Sequence, residues 1–337
     1  MPYARESKFP FDRPNEFIER LLYQTEKVIL GKREVVELAV LAFLCGGHVL
    51  LEDVPGVGKT MLVRTLARVF GADFKRIQCT PDLLPSDVTG VSVYRPHTGQ
   101  FEFRPGPLMA GVVLVDEINR ASPRTQSALL EAMEEQRVTV DGVEYPLGQP
   151  FLLLATQNPI EQEGTFVLPE AQLDRFLLKL RVGYPAERHE VELLGRLQLR
   201  HPLEEAKPVL LPEELLELQQ EVRGVFVDDT LKVYLVKLAA ATRSHTDLQW
   251  GASPRAVIAL MRAAQARAFM AGRGYVVPDD IKSLLEPVWA HRLAVKLDAR
   301  MAGRTAESVL RGIAAAVAVP ATRYGAADGG AGTKVAP

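Results

Sequence analysis

The chain has 337 residues, 47% of them hydrophobic and 24% charged, with a formal net charge of −2. That length allows two domains with packed cores, and the balanced charge argues against a protein whose main work is coating nucleic acid. Two cysteines without Cys-x-x-Cys spacing (Cys45 and Cys79), a polar start and apolar runs far below the ~20 residues of a membrane span point to reduced thiols, no membrane insertion and a cytoplasmic chain.

Residues 1–13 read as an N-terminal extension. From 14 to about 185, short apolar strands alternate with amphipathic helices, which indicates a parallel sheet covered on both faces. The first strand, 49–51, leads into Glu52-Asp53-Val54-Pro55-Gly56-Val57-Gly58-Lys59-Thr60. Beyond it, Leu62, Leu66, Val69 and Phe70 recur at helical spacing. Strand, glycine-rich turn and helix start make the context of a phosphate-binding loop, whose backbone N–H groups and helix N-terminus face the anion. Pro55, Gly56, Val57, Gly58, Lys59, Thr60 and Met61 are its candidate nucleotide contacts. Lys59 would reach the β- and γ-phosphates, and the Thr60 hydroxyl would ligate Mg²⁺. Asp53 stands where the general pattern has glycine. It is read as a position of positive φ, which Asp tolerates better than most residues, with its carboxylate turned away from the triphosphate.

A second strand is expected at 74–79 and a hairpin insertion near 88–104. The strand 112–115 ends in Asp116 and Glu117. Two carboxylates at the carboxyl edge of such a sheet lie where ligands bind. Asp116 would hold Mg²⁺ directly or through water, and Glu117 would polarise the attacking water. Ser122 and Pro123 read as N-cap and N1 of a helix, with Arg120 and Arg124 near its start. A second hairpin, near 136–146, turns at Asp141-Gly142, a type I′ signal. The strand 151–155 runs into Thr156, Gln157 and Asn158, whose amide could bond the attacking water or the γ-phosphate. A weaker strand is expected at 177–182.

After about 185 the composition changes. Residues 186–227 read as a helical connector and 228–320 as a small all-α domain, opened segment by segment at Asp228, Ser253-Pro254, Pro278 and Thr305. Residues 321–337 are rich in Ala and Gly and are expected to be disordered. Six scattered histidines offer no ligand cluster, so no transition-metal site is expected.

Five segments together resemble the MoxR family of AAA+ ATPases: Glu52 to Thr60, Asp116 to Gln126, Ala155 to Pro159, Leu168 to Phe176 and Gly251 to Arg255. The resemblance covers the chain from about Phe17 to about Pro320. It implies an α/β P-loop core with a parallel five-stranded sheet flanked by helices, a smaller all-α lid, and hydrolysis of ATP to ADP and phosphate with Mg²⁺. It also implies that Arg175 is an arginine finger donated to a neighbouring subunit's γ-phosphate, that Arg255 is a sensor arginine acting in cis, and that the turn near Val28 to Gly31 meets adenine. In relatives the two hairpins face the pore or substrate, which makes Phe101, Phe103, Arg137 and Tyr145 candidate contacts. The implied role is chaperone-like remodelling in the maturation or assembly of protein complexes and metal-cofactor enzymes. The implied partners are further copies of the chain in a ring, a hexamer by analogy, and a protein with a von Willebrand factor A domain. The alternatives are the ATPase subunit of a metal-chelatase-like complex and a nucleic-acid motor of the same superfamily.

Overall fold

A computed structural model describes residues 14–158, 165–198 and 202–320. The expected N-terminal extension and C-terminal tail, and Pro159, lie outside the described residues. The chain divides into two compact units between Glu221 and Val222.

The first unit begins with α1 (Pro14–Glu26) and α2 (Arg33–Cys45), which lead into β1 (Val49–Glu52). Then come α3 (Lys59–Val69), β2 (Phe74–Gln78), α4 (Pro85–Thr89), β3 (Gly90–Arg95) and β4 (Gln100–Pro105). They are followed by β5 (Val112–Asp116), α5 (Pro123–Glu135), β6 (Arg137–Val140), β7 (Val143–Pro146) and β8 (Leu152–Gln157). The unit closes with α6 (Glu170–Leu173), β9 (Leu178–Leu180), α7 (Glu187–Leu197) and most of α8 (Pro212–Arg223). Five strands form one sheet in the order β2-β5-β8-β1-β9. Every pairing in it is parallel. Glu52, Gln78, Asp116 and Gln157 therefore end their strands on the same edge.

The inner strands β1, β5 and β8 are buried along nearly their whole length, because helices cover both faces. Leu50, Val113, Val115, Leu129, Leu153 and Phe176 belong to one continuous apolar cluster. The strand at 74–78 departs from the apolar pattern expected of it. It is an edge strand, with Lys75 and Arg76 exposed and Ile77 buried. Residues read as a connector pack onto this unit: Leu215 and Leu218 are buried, and Gln219 Nε2 donates to Phe43 O at 2.8 Å.

Local signals act as expected in several places. The Ser122 hydroxyl accepts from the Thr125 N–H and caps α5. Asp141 and Gly142 both take positive φ, 50° and 79°, as a type I′ turn requires. Both hairpins form separate two-stranded sheets outside the parallel core.

His48 fastens β1 to its surroundings. Its Nε2–H donates to Met133 O at 3.1 Å, and the Leu153 N–H donates to its Nδ1 at 3.0 Å. Burial pushes its pKa down to about 4, so the folded protein holds the ring neutral. The unfolded chain protonates this ring first as pH falls below about 6.5. Stability present at neutral pH is therefore lost between about pH 6.5 and pH 4, by ~3 kcal/mol from this group. Denaturant melts across that window should be steeper in pH for the wild type than for His48→Gln by this amount. Equal slopes would remove the assignment.

The second unit contains α9 (Asp229–Arg243), β10 (Leu248–Trp250), α10 (Pro254–Met270), α11 (Pro278–Trp289), β11 (Ala294–Val295), α12 (Leu297–Met301) and α13 (Ala306–Ala316). Asp228, Ser253 and Thr305 cap helices with their side chains. Buried Trp289 donates from Nε1 to Ala256 O at 2.8 Å, and Arg273 pairs with buried Asp280 at 2.6 Å. This unit is a helical domain as expected, with one short pairing between its helices: Leu248 pairs with Val295 and Trp250 with Ala294. These short extended segments between helices satisfy their backbone groups by pairing with each other. Gly251 is required beside them, because a Cβ there would sit 2.5 Å from Arg243 N.

Candidate active site

The candidate site lies at the carboxyl edge of the five-stranded sheet. The Asp53 N–H donates to Gln157 O at 3.2 Å, which extends the β1–β8 ladder by one residue before the loop turns away. Gly56 and Gly58 then take φ of 86° and 90°. A side chain at either would meet strain, although the space beside both is open. Val57 is buried and pins the loop's middle, while Pro55, Gly56 and Gly58 are exposed. Gly58 precedes α3, so Lys59, Thr60 and Met61 form its first turn, each partly buried.

Lys59 Nζ donates to Asp53 O at 2.7 Å and to Val54 O at 3.0 Å. Partial burial lowers its pKa, against the opposing charges of Asp53, Asp116 and Glu117. A lysine held over its own loop by neutral carbonyls gains from an incoming phosphate.

Asp116 and Glu117 stand across the edge on β5. Thr156, on neighbouring β8, joins them: its hydroxyl donates to Asp116 Oδ1 at 2.5 Å and accepts the Glu117 N–H at 2.8 Å. Glu117 is held at φ 57°, ψ 51°, a left-handed conformation costing about 1–3 kcal/mol for such a residue. The Thr156 bond holds it there. Arg76 donates to Asp116 Oδ2 at 2.6 Å and to Gln78 Oε1 at 2.6 Å. Gln78 Nε2 donates to Glu117 Oε2 at 3.1 Å, and Arg120 Nη1 meets the same oxygen at 3.2 Å. Both acidic residues therefore belong to one polar network built across three strands. Arg76, Gln78 and Thr156 were missed as site residues by the reading of the sequence. Arg120, expected near the start of the helix that follows, pairs with Glu117 in its own chain.

Asn158 is buried just past the end of β8, beside the start of the loop. Thr60 and Asp116 are suited to Mg²⁺ arriving with phosphate. That ion keeps several waters and needs only one or two protein carboxylates. Asp116 has both oxygens engaged, by Thr156 and Arg76, so contact through water suits it better than direct ligation. Among the described residues no cluster of His, Cys, Asp and Glu would hold a metal by itself.

A cavity of about 240 Å³ adjoins the loop, lined by Val28, Ile29 and Leu30, by Val57, Gly58 and Met61, and by Val182, Pro185 and His189. Gly31 beside it has φ 67°, and the His189 ring lies 2.0 Å from where its Cβ would stand, so glycine is required.

Arg175 is not brought to this edge. It precedes β9, whose Leu178 pairs with Val49 at the start of β1, so it lies at the opposite, amino edge. Its Nε is 2.9 Å from Glu134 Oε2 near the end of α5. Arg255 is exposed in the first turn of α10 in the second unit. Of the hairpin residues, Phe101 is 73% exposed, whereas Phe103 and Tyr145 stack on each other at 3.8 Å and join the two hairpins. Arg137 pairs with Glu135 and Glu144.

Residues 48–178 match the ATPase family associated with various cellular activities (AAA), and residues 240–313 match the AAA lid domain. The chain is 56% identical over 297 residues to the uncharacterized protein YeaC of Bacillus subtilis, covering 88% of this chain and 93% of that one. It is 43% identical over 312 residues to chaperone MoxR1 of Mycobacterium tuberculosis, covering 90% and 82%. It is 34% identical over 291 residues to protein MoxR of Paracoccus denitrificans, covering 79% and 85%. Among solved structures, a candidate ATPase from Cytophaga hutchinsonii superposes with a TM-score of 0.86 at 38% identity, covering 91% of this chain and 96% of that one.

Proposed function

The chain belongs to the MoxR family of AAA+ ATPases, and from that premise we propose that it hydrolyses ATP in a ring of like subunits and uses the cycle to remodel a client protein. The observation that carries this reading is the grouping of Lys59, Asp116 and Glu117 at one sheet edge, with Arg175 at the other. An arginine behind its own site is placed to serve a neighbour's site rather than its own, and head-to-tail contacts of that kind close into rings when their rotation closes. The similarity to a protein named a chaperone supports the remodelling role.

In this reading the loop's N–H groups and Lys59 bind the triphosphate. Thr60 and, through water, Asp116 would hold Mg²⁺, which would supply neutralising charge at the phosphates. Glu117 takes the proton of the attacking water, and Asn158 orients that water. A neighbour's Arg175 stabilises charge on the transferring phosphoryl group. Arg255 reports the nucleotide state from the second unit. A protein partner with a von Willebrand factor A domain would deliver the client.

Lys59→Ala tests the binding step. Losing one charged contact of ~3 kcal/mol should weaken Mg–ATP by about two orders of magnitude in calorimetric titration. The melting temperature should barely move, because Lys59 bonds only two carbonyls of an accessible loop. Wild-type affinity in this variant would contradict the reading.

A further inference from the structure

Asp53 is the one departure from the general phosphate-loop pattern, and the nucleotide chemistry above does not use its carboxylate. The expectation that it occupies a positive-φ position is wrong. Among the described residues only Glu117, Gln136 and Asp141 do so without being glycine. The backbone here has no need of glycine, so the side chain requires its own explanation.

That side chain is fully engaged. Oδ1 accepts the N–H of Val54 at 2.8 Å, inside the loop. Oδ2 accepts the N–H of Gly183 at 2.5 Å, in the turn that follows β9. Gly183 has φ 64°, and the next carbonyl, that of Tyr184, accepts from Lys32 Nζ at 2.7 Å. This turn carries Val182 and Pro185 and leads to His189, all lining the apolar cavity beside the loop. The loop contributes Val57 and Gly58 to the same cavity. One carboxylate thus ties the loop that faces phosphate to the wall of the cavity next to it.

We propose that Asp53 is a positioning residue that sets the spacing between the phosphate loop and a nucleobase held in this cavity, so that the site selects a nucleoside triphosphate over a bare polyphosphate. This rests on the ATPase reading and adds to it. A carboxylate near phosphates is unfavourable by charge alone. Two N–H donors offset that, and the return is a fixed distance between the two halves of the ligand site. A glycine at this position would suit the phosphates and release the cavity wall.

The test compares wild type, Asp53→Gly and Asp53→Asn for affinity toward Mg–ATP and Mg–tripolyphosphate. Losing a charge-assisted bond should weaken ATP about tenfold or more in Asp53→Gly. Tripolyphosphate affinity should hold or rise, so the ratio between the two collapses. Asp53→Asn keeps one acceptor and should give an intermediate ratio, even if the glycine variant folds poorly. An unchanged ratio in both variants overturns the proposal, as does a parallel loss of both affinities. A wild-type protein that binds no ATP overturns the underlying ATPase reading instead, and is distinguished by being seen before any substitution.

Discussion

Glu117→Gln should bind ATP as tightly as the wild type and turn it over at least ~100-fold more slowly, the scale of a lost general base. The structure makes this substitution unusually clean. The glutamine's amide oxygen can still accept from Gln78 and Arg120, as Oε2 does now at 3.1 and 3.2 Å. The left-handed backbone at this position is held by the Thr156 hydroxyl, which bonds the main-chain N–H and is untouched by the change. Negative charge and proton affinity are lost, and the fold and the Lys59 contacts are kept. Single-turnover and steady-state assays of phosphate release, beside a nucleotide titration, measure both halves of the expectation. Near-normal turnover would take the base away from Glu117. A loss of binding would make it part of the nucleotide cradle instead.

Arg175→Ala should lower turnover by about 10³-fold or more, the scale of an arginine finger, and leave Mg–ATP affinity unchanged. The reason is position. From Val49, which pairs with Leu178 just beyond Arg175, β1 rises ~10 Å to Glu52 before the loop begins. The side chain also sits beside Glu134 on its own chain, 2.9 Å away, and must leave that partner to serve a neighbour. Arg175→Lys retains the charge but not the planar fork, so it should recover only part of the rate. Weakened ATP binding in the alanine variant would place the arginine in its own subunit's site.

How much of this was legible in the sequence follows from the range of the interactions. The phosphate loop is a local signal: Gly56, Gly58 and Lys59 carry their geometry in adjacent residues, and the left-handed glycines are where the pattern puts them. The caps at Ser122 and Ser253 and the Asp141-Gly142 turn are equally local. Asp116 and Glu117 were readable because an apolar strand ends in them. Their partners were not. Gln78 and Asp116 are register partners across β2 and β5, separated by a whole hairpin insertion, and Arg76 reads from the sequence as one more surface charge. Thr156 lies in a segment that drew attention to Asn158, yet the Thr156 hydroxyl is what bonds both carboxylate residues. Asp53 misled for a related reason: a local pattern called for a glycine conformation, whereas its carboxylate answers to Gly183, 130 positions along the chain. The pairing of β10 with β11 was hidden because segments of three and two residues have no period to detect.

In the proposed ring, one chain holds the phosphate loop and its neighbour holds the arginine that completes the site. Mixing equal amounts of Lys59→Ala and Arg175→Ala subunits tests it most directly, with co-assembly verified by native mass spectrometry. At ATP just sufficient to saturate the wild type, each parent should be nearly inactive. In mixed rings, roughly a quarter of the head-to-tail contacts join an intact loop to an intact arginine. Turnover should therefore rise well above either parent. No recovery, in rings that demonstrably contain both subunits, would contradict completion of the site by a neighbour.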